Sequence, residues 1–283
     1  MSDRSRASRP SGHPGPSPWW ILLCIIAVAL LLRVWTLHTP FYSDENPWPY
    51  AAADHSQHGF DFLITRPFDM FTWTSPPLAP LAYRFFTWPL GVTETTLRLL
   101  PLLLGLANIL LVYSLARRLF GRDIGLVAAA IMAVSFWHVI ASTIIEHDGS
   151  LMTFFWLLFI NAYTLYDTTE SKKGFKKNKW LVLAGVFLGL GLLTKYTGML
   201  MFAALGIYLW IRERSFKRAF LKSIVPFSIG FAIIAMFWLW SFFLLPSYFW
   251  ETVTQPPLGV PHLPSLDITS DLPRHGREEE TKT

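Results

Sequence analysis

Asp44 and Glu45 stand side by side in "YSDENPWPY", Tyr42 to Tyr50, just after a long apolar run. Farther along, Glu146, His147 and Asp148 sit between two apolar runs, and Arg98 and Lys195 lie at the ends of others. These residue types could serve one reaction. A carboxylate can take the proton from a hydroxyl as that hydroxyl attacks an electrophilic carbon. Cationic groups can stabilise the negative charge that develops on a departing phosphate, and an acidic or His cluster could hold a divalent ion in the same role. Each group also has a plainer reading. Asp44 and Glu45 could be ordinary loop polarity, Arg98 could pair structurally with Asp44 or Asp148, and Lys195 could mark a turn.

What positions these groups follows from composition. The chain has 283 residues, 52% of them hydrophobic and 15% charged, against about a quarter charged in an average soluble domain. The charges gather in short islands between apolar runs. A helix needs roughly 20 apolar residues to cross the hydrocarbon core. The pattern predicts an all-α, polytopic transmembrane helix bundle of about seven spans within residues 18–245. The expected crossings are Trp19–Leu37, Thr96–Ala116, Ile124–Ser142, Gly149–Tyr166, Trp180–Thr194, Tyr196–Ile211 and Ser223–Leu245. "AVA" at Ala27–Ala29 resembles a cleavage site, but it lies mid-run with "LLL" beyond it, so an uncleaved first span is expected. The single cysteine, Cys24, excludes an internal disulfide.

The basic residues give the sidedness. Arg4, Arg6 and Arg9 precede the first span, and Arg117, Arg118 and Arg122 lie between the second and third. Lys172, Lys173, Lys176, Lys177 and Lys179 fill the next alternate loop, and Arg212, Arg214, Lys217, Arg218 and Lys222 the one after. Cytoplasmic loops carry this excess, so the N-terminus is expected in the cytoplasm and the acids outside. Such short clusters, separated by membrane, also account for the formal charge of +5 without nucleic acid.

The outer loop, residues 38–95, is rich in Trp, Phe and Pro, a composition suited to the membrane interface. Within it Leu78, Leu81, Ala82, Phe85 and Phe86 recur at helical spacing and predict an interfacial helix. That helix could cap the bundle, form one wall of a groove for a lipid headgroup, or do both. Arg33, near the outer end of the first span, is expected to snorkel to the interface. Arg98 opens the second span, where a guanidinium can engage a phosphate or carboxylate bidentately. Gly185 and Gly189 form a G-x-x-x-G pattern that predicts close helix packing. Residues 1–17 and the polar, Pro-rich residues 246–283 are expected to be disordered tails, the first of them cytoplasmic.

The order of the pieces resembles a known superfamily. "DENPWPYA" follows the first span, "SPPLAPLAYRFF" lies in the outer loop and "LRLLPLLLG" opens the second span. "ARRLFGRDIGLVAAAIMAVSFWHV" then leads to "EHDGSLMTFFWLL", and "LAGVFLGLGLLTKYTG" follows. Over residues 19–245 the chain is similar to the GT-C membrane glycosyltransferases, nearest to the protein-mannosyltransferase and aminoarabinose-transferase-like family.

The resemblance implies inverting transfer of a sugar from a polyprenyl-phosphate donor, on the extracytoplasmic side of the cell membrane, to a lipid, protein or glycan acceptor. It implies Asp44 as catalytic base, Glu45 completing the pair and Asp148 lining the same cavity. It places Arg98 and Lys195 near the lipid phosphate. Aminoarabinose-transferase relatives usually carry Glu-Lys before Pro-Pro-Leu, where this chain has Thr74 and Ser75. No metal and no cofactor is therefore inferred. Family members also generally continue with more spans. Two other functions remain open: a transporter or flippase of a lipid-linked or ionic substrate, and a truncated, non-catalytic membrane subunit. Transporter sites lie near the bilayer midplane, whereas the acids here cluster at span ends, which favours surface chemistry.

Overall fold

The computed structural model describes residues 18–38, 78–145, 149–169 and 174–244. The regular elements in those segments are α-helices and short 3₁₀ helices, and no strand occurs among the described residues. Helix α1 spans Pro18–Val34 and runs into a 3₁₀ turn, Trp35–His38. Helix α2 is the short Leu78–Thr87, and α3 is the long Glu94–Phe120. Helices α4 (Arg122–Val134) and α5 (Phe136–Ala141) follow, then α6 (Ser150–Thr168) and α7 (Gly174–Thr194). A 3₁₀ turn, Tyr196–Met199, leads into α8 (Leu200–Glu213) and α9 (Phe216–Leu244). The predicted crossings thus coincide with helices, apart from the third, which is broken at Ser135.

Helix α3 shows why these ends fall where they do. Thr93 caps it: the Thr96 amide donates to Thr93 Oγ1 at 3.1 Å, and the Thr93 amide donates to Thr96 Oγ1 at 2.9 Å. This reciprocal box satisfies donors that the first turn cannot. Glu94 lies at its positive end and Arg117 and Arg118 at its negative end, both favourable for the helix dipole. Gly121, at φ 99°, turns the chain directly into α4. With a mean hydropathy of 2.2, α3 is by length and composition the one helix, among the described residues, long and apolar enough to cross a membrane. Shorter apolar helices cover Trp19–Val34, Asn178–Thr194, Thr197–Ile211 and Ile224–Met236.

Contacts fix the directions. Gly125 on α4 meets Arg117 on α3, while Ser142, just past α5, meets Gly105, so α4 and α5 run back along α3. Asn108 of α3 donates to the Ser150 carbonyl, and Asn161 of α6 donates to the Leu111 carbonyl, so α3 and α6 run the same way. Helix α7 returns along α6, with Gly191 against Phe155 and Trp156. Gly185 and Gly189 of α7 face Ile229, Gly230 and Ile233 of α9, closely enough that a Cβ at Gly185 would lie 2.7 Å from Ile229 Cβ. The G-x-x-x-G pattern is therefore a packing device, as its spacing predicts.

Two larger apolar cores result. Leu22, Ala29, Ile109, Tyr113, Leu126, Ala129 and Ala133 join α1, α3 and α4. Phe159, Tyr163, Leu181, Leu188, Leu205 and Leu209 join α6, α7 and α8. Many large apolar side chains stay exposed on the outside of the bundle, among them Leu31, Ile131, Trp137 and Ile211. An outward apolar surface is what lipid rather than water requires.

Candidate functional site

One end of the bundle gathers the N-terminus of α3, the segment after α5, the start of α6 and the end of α7. Three contacts tie these pieces together. Arg98 reaches the segment after α5, Ser150 Oγ donates to the Ala141 carbonyl at 2.7 Å, and Thr197 Oγ1 lies 3.6 Å from Met152 Sδ. The opposite end carries Arg117, Arg118 and Arg122, at the α3–α4 turn.

Arg98 is buried, at 1% exposure, and its Nη1 donates to the Thr143 carbonyl at 2.6 Å. Thr143 precedes Ile145, which is fully buried with Tyr83 and Leu97. Helix α2, the first turns of α3 and the segment 143–145 therefore form one small core. Its position is decided by sequence-local facts: Leu97 and Arg98 sit adjacent on α3, and Tyr83 lies on the buried side of α2. The exposed Phe85 shows that the packed face of α2 is Ala79, Tyr83 and Thr87, offset from the apolar stripe expected to govern it.

The base of the loop after Thr143 is closed. A Cβ at Gly149 would lie 2.6 Å from the Ala141 carbonyl oxygen, so only a glycine lets the two sides meet this closely. Asn108, fully buried on α3, holds the Ser150 carbonyl from below at 3.0 Å.

Arg33 corrects an expectation. It does not snorkel to an interface: it is fully buried, and its guanidinium is the hub of a polar cluster. Nε donates to Ser142 Oγ at 2.6 Å, and Nη1 donates to the carbonyls of Ala29 at 2.7 Å and Ala133 at 3.1 Å. Nη2 lies 2.8 Å from His138 Nδ1. Because Arg has only donors, that Nδ1 accepts, and the proton of the neutral ring sits on Nε2. The break at Ser135 explains the hub. It frees the Ala133 carbonyl from helical bonding, and Arg33 supplies the missing donor.

The predicted site residues divide clearly. Arg98 and Lys195 belong to the same end of the bundle, Lys195 half-buried where α7 gives way to the 3₁₀ turn. Asp44, Glu45 and Asp148 lie outside the described residues. Sequence reading misassigned Arg33 and missed the supporting residues His138, Ser142 and Gly105. It also missed Arg84 on α2, buried at 6% exposure, whose Nη1 has no hydrogen-bond partner among the described residues. Burial also pushes the Arg84 guanidinium below its usual basicity. The "AYRFF" context alone gives no signal for this, since the same arginine could face water.

Comparisons with known proteins agree on the fold. The model of the dolichyl-phosphate-mannose-protein mannosyltransferase family matches residues 74–240, more than half of the chain. A polyprenol-phosphate-mannose–protein mannosyltransferase of Corynebacterium glutamicum is 26% identical over 194 residues, covering 59% of this chain and 37% of that protein. ArnT from Cupriavidus metallidurans, solved bound to undecaprenyl phosphate, aligns at a TM-score of 0.64 and 18% identity, over 85% of this chain and 44% of that one. The S. cerevisiae Pmt1–Pmt2 protein O-mannosyltransferase complex, solved with its sugar donor, aligns at 0.58 and 17% identity over 84% of this chain and 35% of that one. The chain spans about a third of the length of the curated relative it matches.

Proposed function

The chain belongs to the dolichyl-phosphate-mannose-protein mannosyltransferase family, and on that footing we propose that it transfers a sugar from a polyprenyl-phosphate donor to an acceptor on the extracytoplasmic side of the membrane. The bundle spans the membrane with its N-terminus inside, and α2 lies along the outer interface with Phe85 and neighbouring aromatics among the headgroups. The Arg98 end is then the outer end.

The observation that carries this reading is the fixing of the two described segments, at Thr143 and at Gly149–Ser150, that flank the acids in sequence. Arg98 anchors Thr143 from inside the bundle, and Gly149 and Ser150 close the other side against Ala141. Asp148, next to Gly149 in sequence, is the acid that this reading assigns to the same end as Arg98 and Lys195. That juxtaposition suits a reaction that needs a base and a charge sink within one cavity.

In the proposed mechanism Asp44 accepts the proton of the acceptor hydroxyl as its oxygen attacks the anomeric carbon of the sugar. The new glycosidic bond forms as the bond to the phosphate oxygen breaks, so the configuration inverts. The departing lipid phosphate keeps the bonding electrons, and Arg98 and Lys195 stabilise the charge it gains. Glu45 and Asp148 line the cavity and orient the acceptor.

The deciding experiment is Asp44→Asn in membranes containing the full chain, with a radiolabelled polyprenyl-phosphate sugar. Transfer should vanish while the folded protein persists. Undiminished turnover would remove Asp44 as base, and substrate flux through proteoliposomes without a glycosidic product would replace the transferase reading with a transporter.

A further inference from the structure

The opposite end of the bundle holds a feature that the transfer reaction does not use. Between the start of α1 and the end of α3 lies a cleft of about 500 Å³. Trp19, Leu22 and Leu110 supply its apolar lining, and Tyr113, Ser114, Arg117 and Arg118 the polar part. From these residues we propose that the cleft binds the headgroup of an anionic phospholipid of the inner leaflet.

The chemistry of the lining argues for a phosphate diester. Two adjacent guanidiniums and two hydroxyls face the cleft, and among the described residues no carboxylate lines it. Arg117 is already oriented: its guanidinium carbon lies 5.9 Å from the centre of the Tyr113 ring, and Nη1 lies 3.5 Å from the phenol oxygen. Arg118 is steadied from the other side, with Nη1 3.5 Å from Asn161 Oδ1. Both bonds are at the long limit, so both arginines keep donors for a ligand. A planar fork of donors suits phosphate oxygens better than a point charge does.

The apolar part of the cleft selects a lipid over a free anion. Leu110 is 45% exposed and Trp19 60% exposed, so the apolar lining continues onto the outer flank of the bundle. A headgroup held by Arg117 and Arg118 would leave its acyl chains along that flank, with the Trp19 ring at headgroup depth. Basic recesses between membrane helices on the cytoplasmic side are suited to anionic headgroups. The inference rests on the membrane placement given above, but not on the transfer chemistry.

The test is native mass spectrometry of the purified full chain, titrated with phosphatidylglycerol or phosphatidylcholine. Wild-type protein should retain phosphatidylglycerol in preference, and the R117Q/R118Q variant should lose that preference by roughly tenfold or more. The R122Q variant removes a charge from the same turn but outside the lining, and should keep it. Equal retention by wild type and R117Q/R118Q would overturn the proposal, as would an equal loss in R122Q, which would indicate diffuse surface charge. Displacement of the lipid by glycerol 3-phosphate alone would assign the cleft to a soluble anion instead. The D44N variant should retain the lipid fully, so a failed transferase reading leaves this result intact. Unchanged thermal melting of R117Q/R118Q guards against simple misfolding.

Discussion

Arg33 and Ser142, 109 positions apart in the chain, are joined by a buried hydrogen bond of 2.6 Å from Nε to Oγ. The next residue, Thr143, is held by Arg98 through its carbonyl, also at 2.6 Å. Two guanidiniums, one from α1 and one from α3, thus grip consecutive residues. Two residues on, Ile145 is fully buried beside Tyr83 and Leu97. The first helix therefore does more than anchor the chain: together with α3 it fixes the segment that follows α5.

The Arg33 hub should matter to stability. Arg33→Lys keeps the charge but replaces a planar fork with a single ammonium, which cannot serve Ser142, Ala29, Ala133 and His138 together. Losing part of a buried, charge-assisted set costs about 2–3 kcal/mol. The expected outcome is a clearly lower melting temperature in detergent. Melting at the wild-type temperature would show that the hub contributes nothing.

Gly105 is the second requirement of the same latch. A Cβ there would collide with Ser142 Cβ and lie 2.9 Å from Ser142 Oγ. Since α3 and the segment after α5 cannot both stay in place, Gly105→Ala should destabilise by about 1–3 kcal/mol. The clash is with a single side chain, so G105A/S142G should recover part of the loss. Thermal melting of the two variants separates the cases. A double variant no better than G105A would place the strain elsewhere.

Most of the fold was legible because hydropathy and helix period are local. The helices, the turn at Lys195 and the packing role of Gly185 and Gly189 follow from runs of neighbours in sequence. The break at Ser135 was not legible, since "AVSFWH" contains neither Pro nor Gly. The tertiary donor that tolerates the break, Arg33, lies about a hundred residues away. Arg33 itself was misread for a related reason: one arginine near a span end suits snorkelling and burial equally until its partners are known. Of the candidate site, Arg98 and Lys195 were located at one end, whereas the packed face of α2 was displaced from its apolar stripe by Tyr83 and Ala79, which fit beneath it.

Arg84 offers a different test. Its guanidinium is buried on α2, with Nη1 lacking a hydrogen-bond partner among the described residues. Desolvation without compensation costs folding free energy. Arg84→Met should therefore melt no lower than wild type, and higher if the cost is large. In the proposed donor cavity such a group would be satisfied by an anion, so the same variant should bind polyprenyl phosphate more weakly. A lower melting temperature would show that Arg84 is already compensated in the folded chain.

Arg98 combines both themes, because it supports the loop and is the proposed partner of the lipid phosphate. Arg98→Gln removes the charge and weakens the hold on Thr143, so it should lower melting temperature and reduce transfer by about 10²–10³, as loss of one charge-stabilising donor does elsewhere. Arg98→Lys separates the two contributions. An ammonium restores a positive charge for the phosphate but not the fork that both reaches Thr143 and fills its buried site. The expected result is recovery of donor affinity, read as the KM for the polyprenyl-phosphate sugar, without recovery of melting temperature. If lysine restores neither, Arg98 acts as a strut alone, and the charge that stabilises the departing phosphate must come from Lys195 or from another residue at that end of the bundle.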